Sequence, residues 1–247
     1  MPEAVLRAEW VSVSFGGLRA VDGVALEVGP RELVGVIGPN GAGKTTFFHT
    51  LSGVLAPTAG RIWVAGADLT GRPAHVFAMH GVARTFQTPR VFRGMSAEDN
   101  VRFGLAFAGR RRRHPHDAFD DARSILGFLG LRSEAAVAAG ALPPARQRLL
   151  EIGMALGARP QVLLLDEVAA GLTESEVQAT AKLIARVRSE LGLAVIWIEH
   201  AVRALLDCVE RVVVLHQGRK IADGVPRAVA RDPAVVEAYL GIEGEHT

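Results

Sequence analysis

The sequence predicts an α/β protein with a mostly parallel core sheet, and three observations predict it. Strand-length apolar runs alternate with helical spacing in the second half: Val162-Leu163-Leu164-Leu165, a long helical stretch over residues 174–191, Ala194-Val195-Ile196-Trp197-Ile198, then Arg211-Val212-Val213-Val214-Leu215. Strands separated by helices point to parallel pairing, since a crossover of that length is what joins parallel neighbours. Near the N-terminus, the apolar run Leu33-Val34-Gly35-Val36-Ile37 leads through a glycine-rich loop into residues 44–51, which carry no helix breaker before Gly53. Between these halves the pattern turns helical, from residue 95 to residue 156, with few β-branched runs.

Each element has a local reason. Residues 1–65 are β-rich: Val11-Ser12-Val13-Ser14-Phe15 and Val24-Ala25-Leu26-Glu27-Val28 alternate, and Arg61-Ile62-Trp63-Val64 follows the Gly60 turn. Residues 119–131, with Ala122, Ile125, Leu126 and Leu129 on one side, read as an amphipathic helix of the middle region. The whole chain, 1–247, is expected to be one domain. Its core comprises residues 1–87 and 158–247, and residues 88–157 form a helical subdomain inserted into it.

Composition bounds the function. A chain of 247 residues suffices for one large core, and its 49% apolar content is globular. No apolar run approaches the ~20 residues that span a bilayer, and the N-terminus lacks a secretory signal pattern. The single cysteine, Cys208, excludes an internal disulfide framework and suits a reducing compartment; its apolar-periodic surroundings read as buried filler. The formal charge is only +2, and the one basic run, Arg110-Arg111-Arg112-Arg113, reads as a solvated loop or as a contact with acidic lipid or a partner. No basic stripe with interleaved aromatics is present, so no nucleic-acid partner is expected.

The glycine-rich loop carries the first chemistry. Gly38-Pro39-Asn40-Gly41-Ala42-Gly43-Lys44-Thr45-Thr46 matches G-x-x-x-x-G-K-[ST] between an apolar strand and a helix. There, backbone N–H groups and the helix N-terminus converge on an anion. Lys44 is positioned to reach the β- and γ-phosphates of a nucleoside triphosphate, and the Thr45 hydroxyl to ligate Mg²⁺. Downstream, Val162-Leu163-Leu164-Leu165-Asp166-Glu167 is an apolar strand ending in two carboxylates. Asp166 suits the Mg²⁺ shell, and Glu167 suits the orientation or deprotonation of an attacking water. One strand later, Val195-Ile196-Trp197-Ile198-Glu199-His200 ends in a histidine that can donate to the γ-phosphate. Gln87, at the junction with the helical insert, can contact Mg²⁺ or water. Phe15 is either a stacking platform for adenine or a core aromatic on a strand.

Phosphate loop, glutamine loop, Asp-Glu strand and strand-end histidine, in this order, resemble the nucleotide-binding subunit of an ATP-binding cassette transporter over nearly the whole chain. The resemblance implies a P-loop NTPase of the cassette type, with an N-terminal antiparallel β subdomain beside the parallel core and a helical insert. Phe15-Gly16-Gly17-Leu18-Arg19-Ala20-Val21, Ala83-Arg84-Thr85-Phe86-Gln87, Ala169-Ala170-Gly171-Leu172 and Asp232-Pro233-Ala234-Val235-Val236-Glu237-Ala238-Tyr239-Leu240-Gly241 are similar to the branched-chain and hydrophobic amino acid importer branch. Urea and short-amide importers belong to the same branch, and Glu151-Ile152-Gly153-Met154 resembles theirs. Implied with it are ATP and Mg²⁺ as ligands, head-to-tail pairing with a second cassette, membrane permeases docking near Phe86, Gln87, Val91 and Phe92, and a solute-binding protein. A position at the cytoplasmic face of the membrane follows from the same resemblance. The alternative from another class is a non-hydrolysing, nucleotide-dependent regulatory module.

One motif departs from the family pattern. Its signature, L-S-G-G-Q, grips the γ-phosphate of ATP on the opposite subunit; here the segment reads Leu142-Pro143-Pro144-Ala145-Arg146. Pro143 has no hydroxyl and Pro144 no N–H, while proline remains compatible with the first turn of the helix. The expectation is a heterodimer with one competent and one impaired ATP site. Val168 and Ala201 stand where the family and branch usually have proline and aspartate.

Overall fold

The computed structural model describes residues 4–108, 119–199 and 202–240. His200, Ala201, the arginine run and Gly241 lie outside the described residues. Two sheets organise the chain. The first is antiparallel, with strand order β2-β1-β4-β5, from β1 (Leu6–Phe15), β2 (Leu18–Val28), β4 (Ala59–Val64) and β5 (Ala67–Asp68). The second, of six strands, includes β3 (Leu33–Ile37), β6 (Val82–Arg84), β7 (Val162–Asp166), β8 (Ala194–Ile198), β9 (Arg211–His216) and β10 (Arg219–Gly224). Its order is β10-β9-β3-β8-β7-β6, and every pairing except β9 with β10 is parallel.

The parallel strands are apolar on both faces because each face meets a different core. Val34 and Val36, Leu164, Ile196 and Ile198, and Val213 and Leu215 face the core shared with the antiparallel sheet and with helix α1 (Lys44–Leu51). Leu33 and Ile37, Leu163 and Leu165, Val195 and Trp197, and Val212 and Val214 face the second core, which the remaining helices close. Each fully buried side chain of this kind contributes about 1.5–3 kcal/mol, so the central strands are the least mutable part of the molecule.

Helix α2 (Ala74–Met79) precedes β6; α3 (Ala97–Ala108), α4 (Ala122–Phe128) and α5 (Pro144–Gly157) form a helical unit between β6 and β7. The expected helix over residues 119–131 is shorter than its apolar pattern. Asp121 caps it by accepting from the Ser124 N–H at 2.7 Å, and the chain closes when the Leu131 N–H reaches the Leu126 carbonyl at 2.7 Å. Phe119 and Leu129 still pack on the same core from outside the helix. Helix α6 (Glu174–Leu191) has the expected range and starts with a full capping box, Thr173 with Glu176. The short α7 (Val202–Leu206) and α8 (Pro226–Val229) and the C-terminal α9 (Pro233–Leu240) complete the described chain.

β5, β6 and β10 were not foreseen: two are very short, and β10 is largely polar and half-exposed. β6 matters most. Its register sets Arg84 opposite Leu164, which lays the Thr85-Phe86-Gln87 segment alongside the end of β7. Cys208 is half-buried against the second core, and burial pushes its thiol above the ordinary value, in keeping with filler.

Candidate functional site

The loop after β3 can be built only from glycine at two places. Gly38 has φ 151° and Gly43 has φ 95°; a Cβ would strike the Leu215 carbonyl oxygen in the first case and that of Ala20 in the second. The loop therefore threads tightly past β9 and β2, and α1 begins at Lys44 with no side chain capping it. Its first-turn amides face a cleft of about 300 Å³ lined by Ala20, Asn40, Gly41, Ala42, Gly43, Lys44, Thr45, Thr46, Gln87 and Glu167. Lys44 is buried and folded onto its own loop, donating to the Gly38 carbonyl at 2.6 Å and the Pro39 carbonyl at 2.9 Å. Burial lowers its pKa, and the charges of Glu167 and Asp166 oppose that shift.

The end of β7 supplies the carboxylates. Asp166 is buried behind the cleft, paired with Arg84 at 3.1 Å, and its own N–H donates to the Thr85 hydroxyl at 3.2 Å. Arg84 also donates to the Ser52 hydroxyl at 2.9 Å, which ties α1 to the same corner. Glu167 lines the cleft itself. It adopts φ 49°, a region that non-glycine residues avoid, while its N–H donates to the Ile198 carbonyl at 3.0 Å. Its Oε2 accepts from the Gln87 amide at 2.7 Å, so two residues eighty positions apart form one polar pair at the cleft wall.

Several residues around this pair were invisible to local reading. On α5, Arg148 donates to the carbonyls of Gln87, Glu167 and Ala170, at 3.2, 2.9 and 2.9 Å. One turn later, Glu151 accepts the N–H groups of Phe86 at 3.3 Å and Arg90 at 2.9 Å. Burial raises Glu151 to about 7, against the pull of those amides and of Arg148 and Arg90. Glu199, 1% exposed, accepts from the Ala169 N–H at 2.6 Å and from the Trp197 indole at 3.2 Å, holding the loop beyond Glu167. Glu151 and Glu199 are signalled in the sequence only as charges in apolar stretches, and Arg148, beside Arg146 and Gln147, carries no such signal.

Other expected residues lie apart from the cleft. Phe15 ends β1 and is 52% exposed, which rules out a core role for its ring. None of residues 142–146 lines the cleft. Leu142 is buried; Pro143 caps α5 and Pro144 opens it, both exposed, so the helix forms as expected. Arg146 is committed to the Gly130 carbonyl at 3.0 Å and to Glu134 at 3.5 Å. Around the helical unit, Phe92, Phe103 and Phe107 are exposed and stack edge to face, with ring centroids 4.6 and 4.9 Å apart; Val91 packs inward.

Among the described residues, no group of three or more His, Cys, Asp or Glu side chains could hold a metal ion. The oxygen donors lining the cleft, the Thr45 and Thr46 hydroxyls, the Asn40 and Gln87 amides and a single carboxylate, Glu167, suit a hard cation that arrives with phosphate oxygens rather than a cage built by the protein. Among the described residues, too, no helix is long and apolar enough to cross a membrane.

Comparison with known proteins identifies the family. Residues 21–170 match the ABC transporter family, and residues 219–245 match the family described as branched-chain amino acid ATP-binding cassette transporter. The chain is 39% identical to BraF of Pseudomonas aeruginosa, a high-affinity branched-chain amino acid transport ATP-binding protein, over 98% of this chain and 99% of that protein. It is 37% identical to LivG of Escherichia coli K12, which has the same description, with the same coverage of both. A crystal structure of a nucleotide-free ATP-binding cassette from an ABC transporter superposes with a TM-score of 0.84 at 28% identity, covering 96% of this chain and 98% of that one. A strand–loop–helix cleft built for phosphates, on a fold shared from end to end with such cassettes, leads to one assignment: the chain belongs to the ABC transporter family, as an ATPase subunit of the branched-chain amino acid cassette branch.

Proposed function

We propose that this subunit hydrolyses ATP to drive import of branched-chain or related hydrophobic amino acids, at the cytoplasmic face of the membrane, with permease subunits and a solute-binding protein. The observation that carries the substrate class is the near full-length similarity to BraF and LivG, together with the C-terminal family match.

At the site, ATP draws Lys44 from the Gly38 and Pro39 carbonyls onto the β- and γ-phosphates, while the first-turn amides of α1 surround them. The exposed Phe15 ring stacks on adenine. Thr45 and Gln87 would hold the Mg²⁺ that accompanies ATP, with Asp166 supplying negative charge from behind the cleft, and the ion would neutralise phosphate charge. The Gln87–Glu167 pair orients a water, and Glu167 takes its proton as the new P–O bond forms and the bridging oxygen leaves with ADP. His200, two positions beyond the end of β8, donates to the γ-phosphate.

The signature segment serves a second ATP, held by a partner cassette. That none of its residues lines this chain's own cleft supports that arrangement. Pro143 and Pro144 lack the hydroxyl and one N–H that a family signature offers, and hydrogen bonds to charged groups contribute about 1.5–3 kcal/mol each. The partner is therefore a different cassette, and its site is the weak one. The exposed Phe92, Phe103 and Phe107 row receives an apolar helix of a permease.

Two measurements test this reading. Pro143→Ser with Pro144→Gly in the reconstituted complex is expected to raise total ATP turnover by up to about twofold, as a second working site joins the competent one; unchanged turnover removes the impaired-site claim. Uptake of labelled leucine by proteoliposomes containing the complex and its binding protein tests the substrate. Uptake of urea or short amides instead assigns the chain to that relative branch, and genes beside it that encode no membrane protein overturn import altogether.

A further inference from the structure

Helix α5 touches the hydrolytic site with two side chains on one face. Arg148 spans three main-chain carbonyls, those of Gln87, Glu167 and Ala170. Glu151, one turn on, takes two main-chain amides from the segment flanking Gln87. Five hydrogen bonds thus fasten the helix that starts at Pro144 to both halves of the water-orienting pair. Neither side chain lines the cleft, so neither meets the phosphates.

We propose that Arg148 is a positioning residue that makes α5 and the Gln87–Glu167 pair move as one unit, so that the position of the signature end of the helix sets the alignment of this subunit's own water. The relay rests on the reading above that the signature end meets a partner's ATP; the clamp itself rests only on the bonds of this chain. Three features make a clamp rather than ordinary packing. The guanidinium fork binds carbonyls from two separate loops, which no apolar contact would hold in mutual register. Glu167 sits at φ 49°, a conformation that persists only where neighbours enforce it, and Arg148 holds the carbonyl of that residue. Pro143 and Pro144 lie only five and four residues before Arg148 on the same helical stretch, a distance over which an α-helix is rigid.

The test uses the full chain and two readouts. First, amide hydrogen exchange of the nucleotide-free protein is compared between the parent, Arg148→Lys and Arg148→Ala. Phe86, Arg90, Ala169 and Ala170 should lose protection at least about tenfold in Arg148→Ala while the amides of β7 and the middle of α5 keep theirs, with Arg148→Lys between. Second, in the assembled complex, kcat for ATP should fall at least about tenfold with KM changed less than about twofold, because misplacing a catalytic group harms the chemical step and spares binding. Unchanged exchange in the four loop amides overturns the clamp, whether or not the complex hydrolyses ATP. Lost exchange protection throughout α5, or a KM that rises in step with the fall in kcat, shows general destabilisation and also overturns it. A complex whose parent form lacks turnover sinks the proposed function instead, and the exchange result still decides the clamp.

Discussion

Glu151 shows what burial does to one side chain. It is 5% exposed on α5 and satisfies two main-chain amides, yet desolvation outweighs them and lifts its pKa to about 7. The folded protein therefore holds a proton on Glu151 that the unfolded chain, near 4.5, gives up earlier. Between those values the native state binds more protons, so stability falls as pH rises from 4.5 through 7 and then levels off. Glu151→Gln cannot ionise and escapes that penalty. Denaturant unfolding at pH 5 and pH 7.5 should show the parent losing about 2–3 kcal/mol relative to Glu151→Gln across the interval. Parallel pH profiles for the two proteins would place the titration elsewhere. Arg84 and Asp166 meet burial with a partner: each supplies the other's counter-charge, although desolvation still lowers the Arg84 pKa.

At the scale of elements, helix ends are where local chemistry decides most. Thr173 accepts from the Glu176 N–H, and Glu176 returns a bond to the Thr173 N–H at 2.9 Å, so α6 begins sharply after the loop that follows Glu167. Thr173→Ala should cost about 1 kcal/mol, read as a drop of about 2–4 °C in Tm for a domain of this size. A drop near zero would mean that tertiary packing alone sets the start of α6. α5 begins quite differently, with Pro143 as cap and Pro144 in the first turn. Proline suits that turn because its missing N–H would have had no helical partner, so one sequence change keeps the element and alters its ligand chemistry.

For the whole molecule, strand ends and loops of the two sheets line the cleft, and the helical unit that braces Gln87 and Glu167 from behind carries an exposed aromatic row outward. That row gives the docking proposal a measurement. Phe103→Ser together with Phe107→Ser should leave ATP binding by the purified subunit within about twofold of the parent, since both side chains are exposed and neither lines the cleft. The same variant should lose most co-purification with permease subunits, since truncating aromatic anchors of an interface costs about 2 kcal/mol or more each. Full retention in the complex would move the docking surface elsewhere.

What the residues alone determined is local or repetitive: the glycine loop between strand and helix, the buried strands as continuous apolar runs, the span of α6, and the alternation that implies a parallel sheet. Each of these follows from backbone sterics or a hydrophobic period within a dozen residues. The length of α4 was misread because an apolar stripe continues past the point where caps end the helix. β6 was missed because three residues carry no period, although its pairing with β7 is what brings Gln87 to Glu167. Only the tertiary structure decided that Asp166 faces Arg84, that Lys44 folds onto its own loop, and that Arg148 and Glu151 grip both sides of the hydrolytic pair. Such contacts join residues up to eighty-two positions apart, and charge pairing over that separation leaves no periodic trace in the chain.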